Sequence, residues 1–459
     1  MRRKAWLILP LMVAALTGAL VLLCWSELGW QRRDNALTAA TLSPPLVPLE
    51  KEDIAFLIGH SRLNVGRLDK MTIKAGPNRH FIVETTIDSE LQSYATRLLQ
   101  AAKAPRAALV ALDPETGRVL ALASWSSRPE KINYALDPAF PAASVFKMVT
   151  AAAALEEGGL TPSSRIPYRG GPYTLYRSQI IGGKERSTSQ PSLTESFARS
   201  INPVFGKLAL NSIGSSQLEE FARRFGFNEA IRFELPVHPS QVHVPSDDSL
   251  ALAAVGCGFN RETTLSPLHG ALMAGAVINR GTMMEPTVVK RVLLLSKSKP
   301  AFEVYTSQPQ ALSQAMTKET AARMRPLMQA TITKGTCRTA FRGAAKDPVL
   351  SKLEIGGKTG SINDSSQTYR VDWFVGYAQE KGTGRGLALG VLVAHNLERR
   401  GVRASSLARQ VFSFHFGQAA KTAQGQNSQG LEAKPPPPAK PAEPQKMKAL
   451  KPSSKVGSS

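Results

Sequence analysis

Ser144-Val145-Phe146-Lys147-Met148-Val149-Thr150-Ala151-Ala152-Ala153-Ala154-Leu155 is the stretch on which the reading of this chain turns. Pro141 precedes it and Gly158-Gly159 follow it, start and stop signals for a helix from Ser144 to Glu157. Phe146, Met148, Val149 and the run Ala151 to Leu155 make that helix apolar on nearly every face, so it belongs inside a protein. Ser144 and Lys147 open it, three residues apart and therefore on one face. A serine hydroxyl is a poor nucleophile at neutral pH and needs an adjacent base. An amine serves once burial and a neighbouring positive charge lower its proton affinity. The helix N-terminus also favours negative charge developing on the serine oxygen. Ser144 is thus the candidate nucleophile and Lys147 its candidate base. The four-residue pattern alone is weak: Ser296-Lys297-Ser298-Lys299 matches it on paper, in a charged run before Pro300. Only the first match opens a buried helix.

Two further patterns lie downstream. Ser200-Ile201-Asn202 follows a helical stretch, Leu193 to Arg199, and precedes Pro203. A hydroxyl and a carboxamide one residue apart on a loop can face one cleft, where Ser200 relays a proton toward a leaving amine and Asn202 holds a substrate amide. A helix-terminal turn is the bland alternative, and Ser361-Ile362-Asn363 repeats the triplet. Gly356-Gly357-Lys358-Thr359-Gly360-Ser361 stands before a strand-like run, Val371 to Ala378. Its glycines, Gly360 included, let backbone approach a ligand closely. Lys358 supplies a cation for a carboxylate, and the hydroxyls of Thr359 and Ser361 reach the same group. A phosphate loop would need a glycine-spaced run before the lysine and a helix after it; a strand follows here, so that reading is rejected.

Outward from these motifs, the apolar runs Ala107 to Leu112 and Arg118 to Ser124 flank Asp113-Pro114-Glu115-Thr116-Gly117 and read as a β-hairpin. Leu387 to His395 is a further strand, and Ala404 to Phe416 a closing helix. Strands at both ends of the domain with helices between them predict an antiparallel sheet assembled from distant segments and packed by helices. A helix is expected from Ser89 to Ala101. The preceding residues, with Pro44, Pro45 and Pro48 and then a basic stretch, read as a stalk with little core of its own.

The ends differ from the middle. Trp6 to Trp25 is almost continuously apolar, carries no charge and follows Arg2, Arg3 and Lys4. Its length of about 20 residues suits one bilayer-spanning helix whose positive flank stays cytoplasmic. The competing reading is a signal cleaved near Ala39-Ala40; either way the remainder is exported, which removes most of the nucleic-acid reading of the net charge of +22. From about Lys421 onward, Pro435 to Pro438 and many lysines leave almost nothing to bury, which reads as a disordered basic tail. The 42% hydrophobic content requires a folded middle. Cys257 and Cys337 lie outside the apolar segment, as one bridge or as two buried thiols.

Taken in order, Ser-x-x-Lys, Ser-x-Asn and Lys-Thr-Gly resemble the transpeptidase domain of penicillin-binding proteins, over about Thr85 to Phe416. Thr86-Ile87-Asp88 with Leu91-Gln92, the Asp113 to Gly117 turn, Ser266-Pro267-Leu268, Gly335-Thr336 and Trp373-Phe374-Val375-Gly376-Tyr377 strengthen the resemblance. It implies an α+β fold: a five-stranded antiparallel sheet flanked by helices, with an all-helical subdomain, behind one transmembrane helix. The implied division is 1–29 cytoplasmic stub and anchor, 30–84 stalk, 85–417 transpeptidase domain and 418–459 tail. The implied reaction is peptidoglycan D,D-transpeptidation on the periplasmic side of the bacterial inner membrane. Ser144 takes the acyl group of a stem peptide ending in D-Ala-D-Ala and passes it to an amine, and β-lactams trap the serine. Lys147 and Ser200 would move protons. Asn202 would bind the donor backbone, and Lys358, Thr359, Gly360 and Ser361 its carboxylate end, with the oxyanion on the N–H groups of Ser144 and Ser361. No cofactor, metal or nucleic acid is implied. The stretch before Thr85 is too short for a glycosyltransferase domain, which suggests a separate glycosyltransferase partner. Ser361 replaces the more usual threonine of the family and keeps the hydroxyl. Alternatives within the fold are a D,D-carboxypeptidase, a β-lactamase or a non-catalytic β-lactam sensor or scaffold.

Overall fold

A computed structural model describes residues 49–60, 69–74, 80–180, 189–295, 301–398 and 401–430 of the 459-residue chain. In it the two runs around the Asp113 turn pair as strands Arg106–Leu112 and Val119–Ser126. Asp113 makes the turn: its Oδ1 accepts from the backbone N–H groups of Glu115 and Thr116, and Gly117 takes φ 73°, a left-handed conformation that glycine adopts without strain. Beside this hairpin, three strands from the far end of the domain complete a five-stranded sheet. Its order is Leu353–Asn363, Tyr369–Glu380, Gly386–Asn396, Arg106–Leu112, Val119–Ser126, antiparallel throughout.

The middle strand, Gly386–Asn396, is buried at every position but its two ends, so both faces are covered. On one face lies helix Pro267–Ile278, itself buried from end to end. The approach is close enough that a Cβ at Gly390 would stand 2.0 Å from the carbonyl oxygen of Pro267. Helices Asn202–Leu208, Ser215–Arg224, Ser249–Cys257 and Lys318–Thr333 gather around helix Lys147–Glu156, whose residues Lys147 to Leu155 are all buried.

Three expectations change. The supposed stalk has a core: helix Lys51–His60 and strands Lys70–Lys74 and His80–Thr85 bury Ile54, Phe81 and Val83 completely, in a four-stranded sheet with Val289–Leu295 and Phe302–Thr306. The alternation is legible locally, but the strand that covers it lies 207 residues away, as in the Glu84–Arg291 ion pair. The motif Gly356 to Ser361 does precede the strand Tyr369–Glu380, but it is not a loop: it lies within strand Leu353–Asn363 at the edge of the central sheet. The last helix runs Ala404–Gly430 rather than stopping at Phe416, and the division of the chain into two units falls at His415/Phe416. The apolar segment Trp6 to Trp25, Ser296 to Lys299 and the tail beyond Gly430 lie outside the described residues, among which no helix is long and apolar enough to cross a membrane. Cys257 and Cys337 are buried and unbridged.

Candidate active site

The nucleophile turn is held from both sides. Trp373 donates its ring N–H to the carbonyl of Pro141 at 2.8 Å, and Ala142 N–H donates to Thr263 O at 2.8 Å. Ala143 then takes φ 50°, which a non-glycine residue adopts only when its surroundings impose it. The helix does not begin as an α-turn: Ala143–Phe146 is a 3-10 turn, and α-helix follows over Lys147–Glu156. In a 3-10 turn residues three apart eclipse one another, which stacks Lys147 over Ser144 more directly than an α-turn would. Their Nζ and Oγ atoms are 2.8 Å apart. Gly258 (φ 66°) presses on the same turn, where a Cβ would lie 2.0 Å from Ala143 O, so a larger residue would displace the serine.

Lys147 is fully buried and makes three hydrogen bonds: to Ser144 Oγ, to Asn202 Oδ1 at 2.8 Å and to the carbonyl of Cys257 at 2.5 Å. Among the described residues no carboxylate pairs with it. Burial pushes its pKa down to about 8, partly opposed by the buried Cys257 thiol. As a neutral amine it keeps two N–H donors for Asn202 and Cys257 and presents its lone pair to the serine proton.

Ser200 ends helix Leu193–Arg199 in the left-handed conformation (φ 60°, ψ 46°), and Asn202 starts the next helix, with proline at its second position. The sharp reversal sets Ser200 against Lys358 and Asn202 against Lys147. The Asn202 amide is fixed on both sides, its Nδ2 donating to Tyr173 O at 3.0 Å and its Oδ1 accepting from Lys147. Lys358, also fully buried, donates to Ser200 Oγ at 2.9 Å and to Thr359 O at 2.9 Å. Burial, and secondarily repulsion from Lys147, holds its pKa well below the usual lysine value.

The edge strand brings the last group. A Cβ at Gly360 would stand 3.0 Å from Ala142 O, so the strand passes directly against the nucleophile turn. Thr359 and Ser361 share the face opposite Lys358. Thr336 meets Thr359 with hydroxyl oxygens 2.6 Å apart, and Arg370 on the neighbouring strand donates from Nε to Ser361 Oγ at 3.1 Å. Of the residues expected at the site, Ser144, Lys147 and Asn202 are joined by hydrogen bonds, as are Ser200 and Lys358, and Gly360 packs against the nucleophile turn, while Thr359 and Ser361 lie beside them on the same edge strand with contacts to Thr336 and Arg370. Sequence reading missed the carbonyls of Cys257 and Tyr173, which carry no residue signature, and the role of Arg370. Thr336 stood within a recognised pair, Gly335-Thr336, without a role. Asp372, opposite Ser361 in the register, accepts from Ala404 N–H at 2.8 Å and so ties the strand to the closing helix, and burial raises its pKa to about 6. Among the described residues no cluster of three or more His, Cys, Asp or Glu could hold a metal.

Such an arrangement suits acyl transfer: a hydroxyl touching a buried amine, a second amine–hydroxyl pair beside it, and cationic and hydroxyl groups along an edge strand. The family model of the penicillin-binding protein transpeptidase domain matches residues 107–413. The peptidoglycan D,D-transpeptidase PbpA of Mycolicibacterium smegmatis is 27% identical over 403 residues, 79% of this chain and 77% of that protein. Penicillin-binding protein 3 of Bacillus subtilis is 27% identical over 64% of this chain and 45% of its own length. Among solved structures, the ceftriaxone acyl-enzyme complex of penicillin-binding protein A from Mycobacterium tuberculosis is 26% identical, with a TM-score of 0.57 over 72% of this chain and 78% of that one. With the motifs joined in one cleft and two thirds of the length matched, the chain belongs to the penicillin-binding protein transpeptidase family.

Proposed function

We propose that this protein is a peptidoglycan D,D-transpeptidase that carries the acyl group on Ser144. The observation that carries this is the pair of short amine–hydroxyl contacts, Lys147 to Ser144 and Lys358 to Ser200, with Lys147 also donating to Asn202, two residues after Ser200. Neutral Lys147 takes the Ser144 proton as Oγ attacks the carbonyl carbon of the penultimate D-alanine. The resulting oxyanion lies against backbone N–H groups of Ser144 and Ser361; an edge strand leaves alternate N–H groups unpaired for such use. Collapse breaks the C–N bond, and the departing D-alanine amine receives a proton through Ser200, resupplied from the lysine pair. Arg370, Thr359 and Ser361 hold the donor carboxylate, with Lys358 behind them. An acceptor amine then attacks the ester, its proton returns along the same path, and Ser144 is released. β-Lactams would acylate the same oxygen.

The same reading makes Trp6 to Trp25 a membrane anchor with the catalytic unit in the periplasm. Its support is the uncharged apolar run behind Arg2, Arg3 and Lys4. Incubation of the full chain with a D-Ala-D-Ala pentapeptide donor and an amine acceptor tests the assignment. A cross-linked product with equimolar D-alanine supports transpeptidation. D-alanine release with only hydrolysed donor would replace it with a carboxypeptidase, and neither product would refute it.

A further inference from the structure

Arg169 to Tyr176 is an irregular segment beside the cleft, and its shape is set from within by one buried side chain. Gln179 accepts through Oε1 from Tyr176 N–H at 2.9 Å and from Thr174 Oγ1 at 3.1 Å, and donates through Nε2 to the carbonyls of Arg169 at 2.9 Å and Gly171 at 3.3 Å. The loop is braced against the site as well: Asn202 donates its backbone N–H to Pro172 O at 2.7 Å and its side-chain Nδ2 to Tyr173 O. A loop held this firmly nevertheless points two aromatic rings at solvent, Tyr173 and Tyr176, each 62% exposed.

A third exposed ring, Phe259, follows two residues after Cys257. The Cys257 carbonyl and Asn202 Oδ1 both accept from Lys147 Nζ. The backbone of Tyr173, through Asn202, and the backbone of Cys257, two residues before Phe259, are therefore tied to the same buried amine. Exposed aromatics on segments tied to a polar site have the composition of a recognition surface, where large rings supply contact area at little entropic cost.

Tyr173, Tyr176 and Phe259, we infer, form a rim that binds the donor stem peptide on the N-terminal side of its D-Ala-D-Ala end. This rests on the transpeptidase reading. The occupant follows from Asn202. One of its two side-chain N–H groups is spent on Tyr173 O and its oxygen on Lys147, which leaves one N–H for an acyl-side carbonyl. A peptide held there continues away from Ser144 past the residue that fixes Asn202, and its aliphatic side chains meet the rings. Tyr173 and Phe259 are specificity-determining side chains. Gln179 is a positioning residue that acts through the loop.

The test is competition against fluorescent penicillin labelling of the full chain, using a synthetic stem pentapeptide and N-acetyl-D-Ala-D-Ala. In the wild-type protein the pentapeptide should protect Ser144 at the lower concentration. In Tyr173→Ala/Phe259→Ala that advantage should shrink by about ten-fold, as expected when exposed aromatic anchors are truncated, with the protection by each peptide compared within the same variant. Gln179→Ala should lose the advantage as well, while Gln179→Glu, which keeps the acceptor oxygen, should retain part of it. Equal protection by the two peptides, or an advantage unchanged in the double variant, would overturn the inference. So would protection by a peptide-free disaccharide that the double variant abolishes, because the rim would then be reading sugar. Loss of labelling in the wild-type protein itself would remove the transpeptidase reading and this one with it.

Discussion

Lys147 carries the chemistry at the scale of single residues. Its depressed pKa arises from burial with no carboxylate partner among the described residues, so the lowered proton affinity is a property of the folded protein. Acylation of Ser144 by a β-lactam should therefore accelerate as pH rises toward about 8 and level off above it, read as labelling rate against pH. Lys147→Met should slow labelling by about 10²- to 10⁴-fold, the usual contribution of a positioned base. The same group should mark stability. The folded state releases the lysine proton near 8 and the unfolded chain only near 10.5, so between those values the unfolded chain binds more protons. Stability relative to Lys147→Met should rise across that window, and a flat difference in denaturation midpoints would mean that the amine is solvated. Ser144, Lys147, Ser200 and Lys358 were legible in the sequence because side-chain chemistry identifies them. The carbonyls of Cys257 and Tyr173, which fix Lys147 and Asn202, were not legible because every residue has one.

The nucleophile helix is anchored at both ends. At its C-terminus Glu156 accepts from Arg224 at 3.1 Å and from both the backbone N–H and the hydroxyl of Thr317, at 2.8 and 3.0 Å. An acid at a helix C-terminus is disfavoured by the helix dipole, so its partners must more than offset that cost. Thr317 caps helix Lys318–Thr333, which packs against both the Lys-Thr-Gly strand and helix Leu193–Arg199. Glu156→Ala should destabilise the protein by about 1–3 kcal/mol through unpaired, partly buried donors, measured by urea denaturation. An unchanged midpoint would show that the junction contributes nothing. Helix Ser89–Ala101 and the Asp113 hairpin were readable because cap, turn and period all lie within a few residues. The 3-10 start at Ala143 was not, because packing from Gly258 and Trp373 imposes it.

Across the whole molecule, the strands and motifs that meet at the cleft come from both ends of the domain. The sequence could show a sheet of distant segments, but it left the partner of His80–Thr85 hidden, because nothing local marks Val289–Leu295 as its neighbour. The stretch read as a stalk is structural: Leu49, Ile54, Met71, Phe81 and Val83 belong to the same buried core as the nucleophile helix. Deleting residues 49–85 from the full chain should strip one edge of the second sheet and yield aggregated or proteolysed protein, assayed by soluble yield and protease resistance. A soluble, penicillin-reactive deletion variant would restore the stalk reading. The central claim, that this cleft makes Ser144 an acyl carrier, is tested most directly by following fluorescent penicillin labelling of the wild-type protein and of Ser144→Ala over time. A persistent adduct on the wild-type protein that is absent from Ser144→Ala is the predicted result. An adduct that survives the substitution, or none on either protein, would contradict the account.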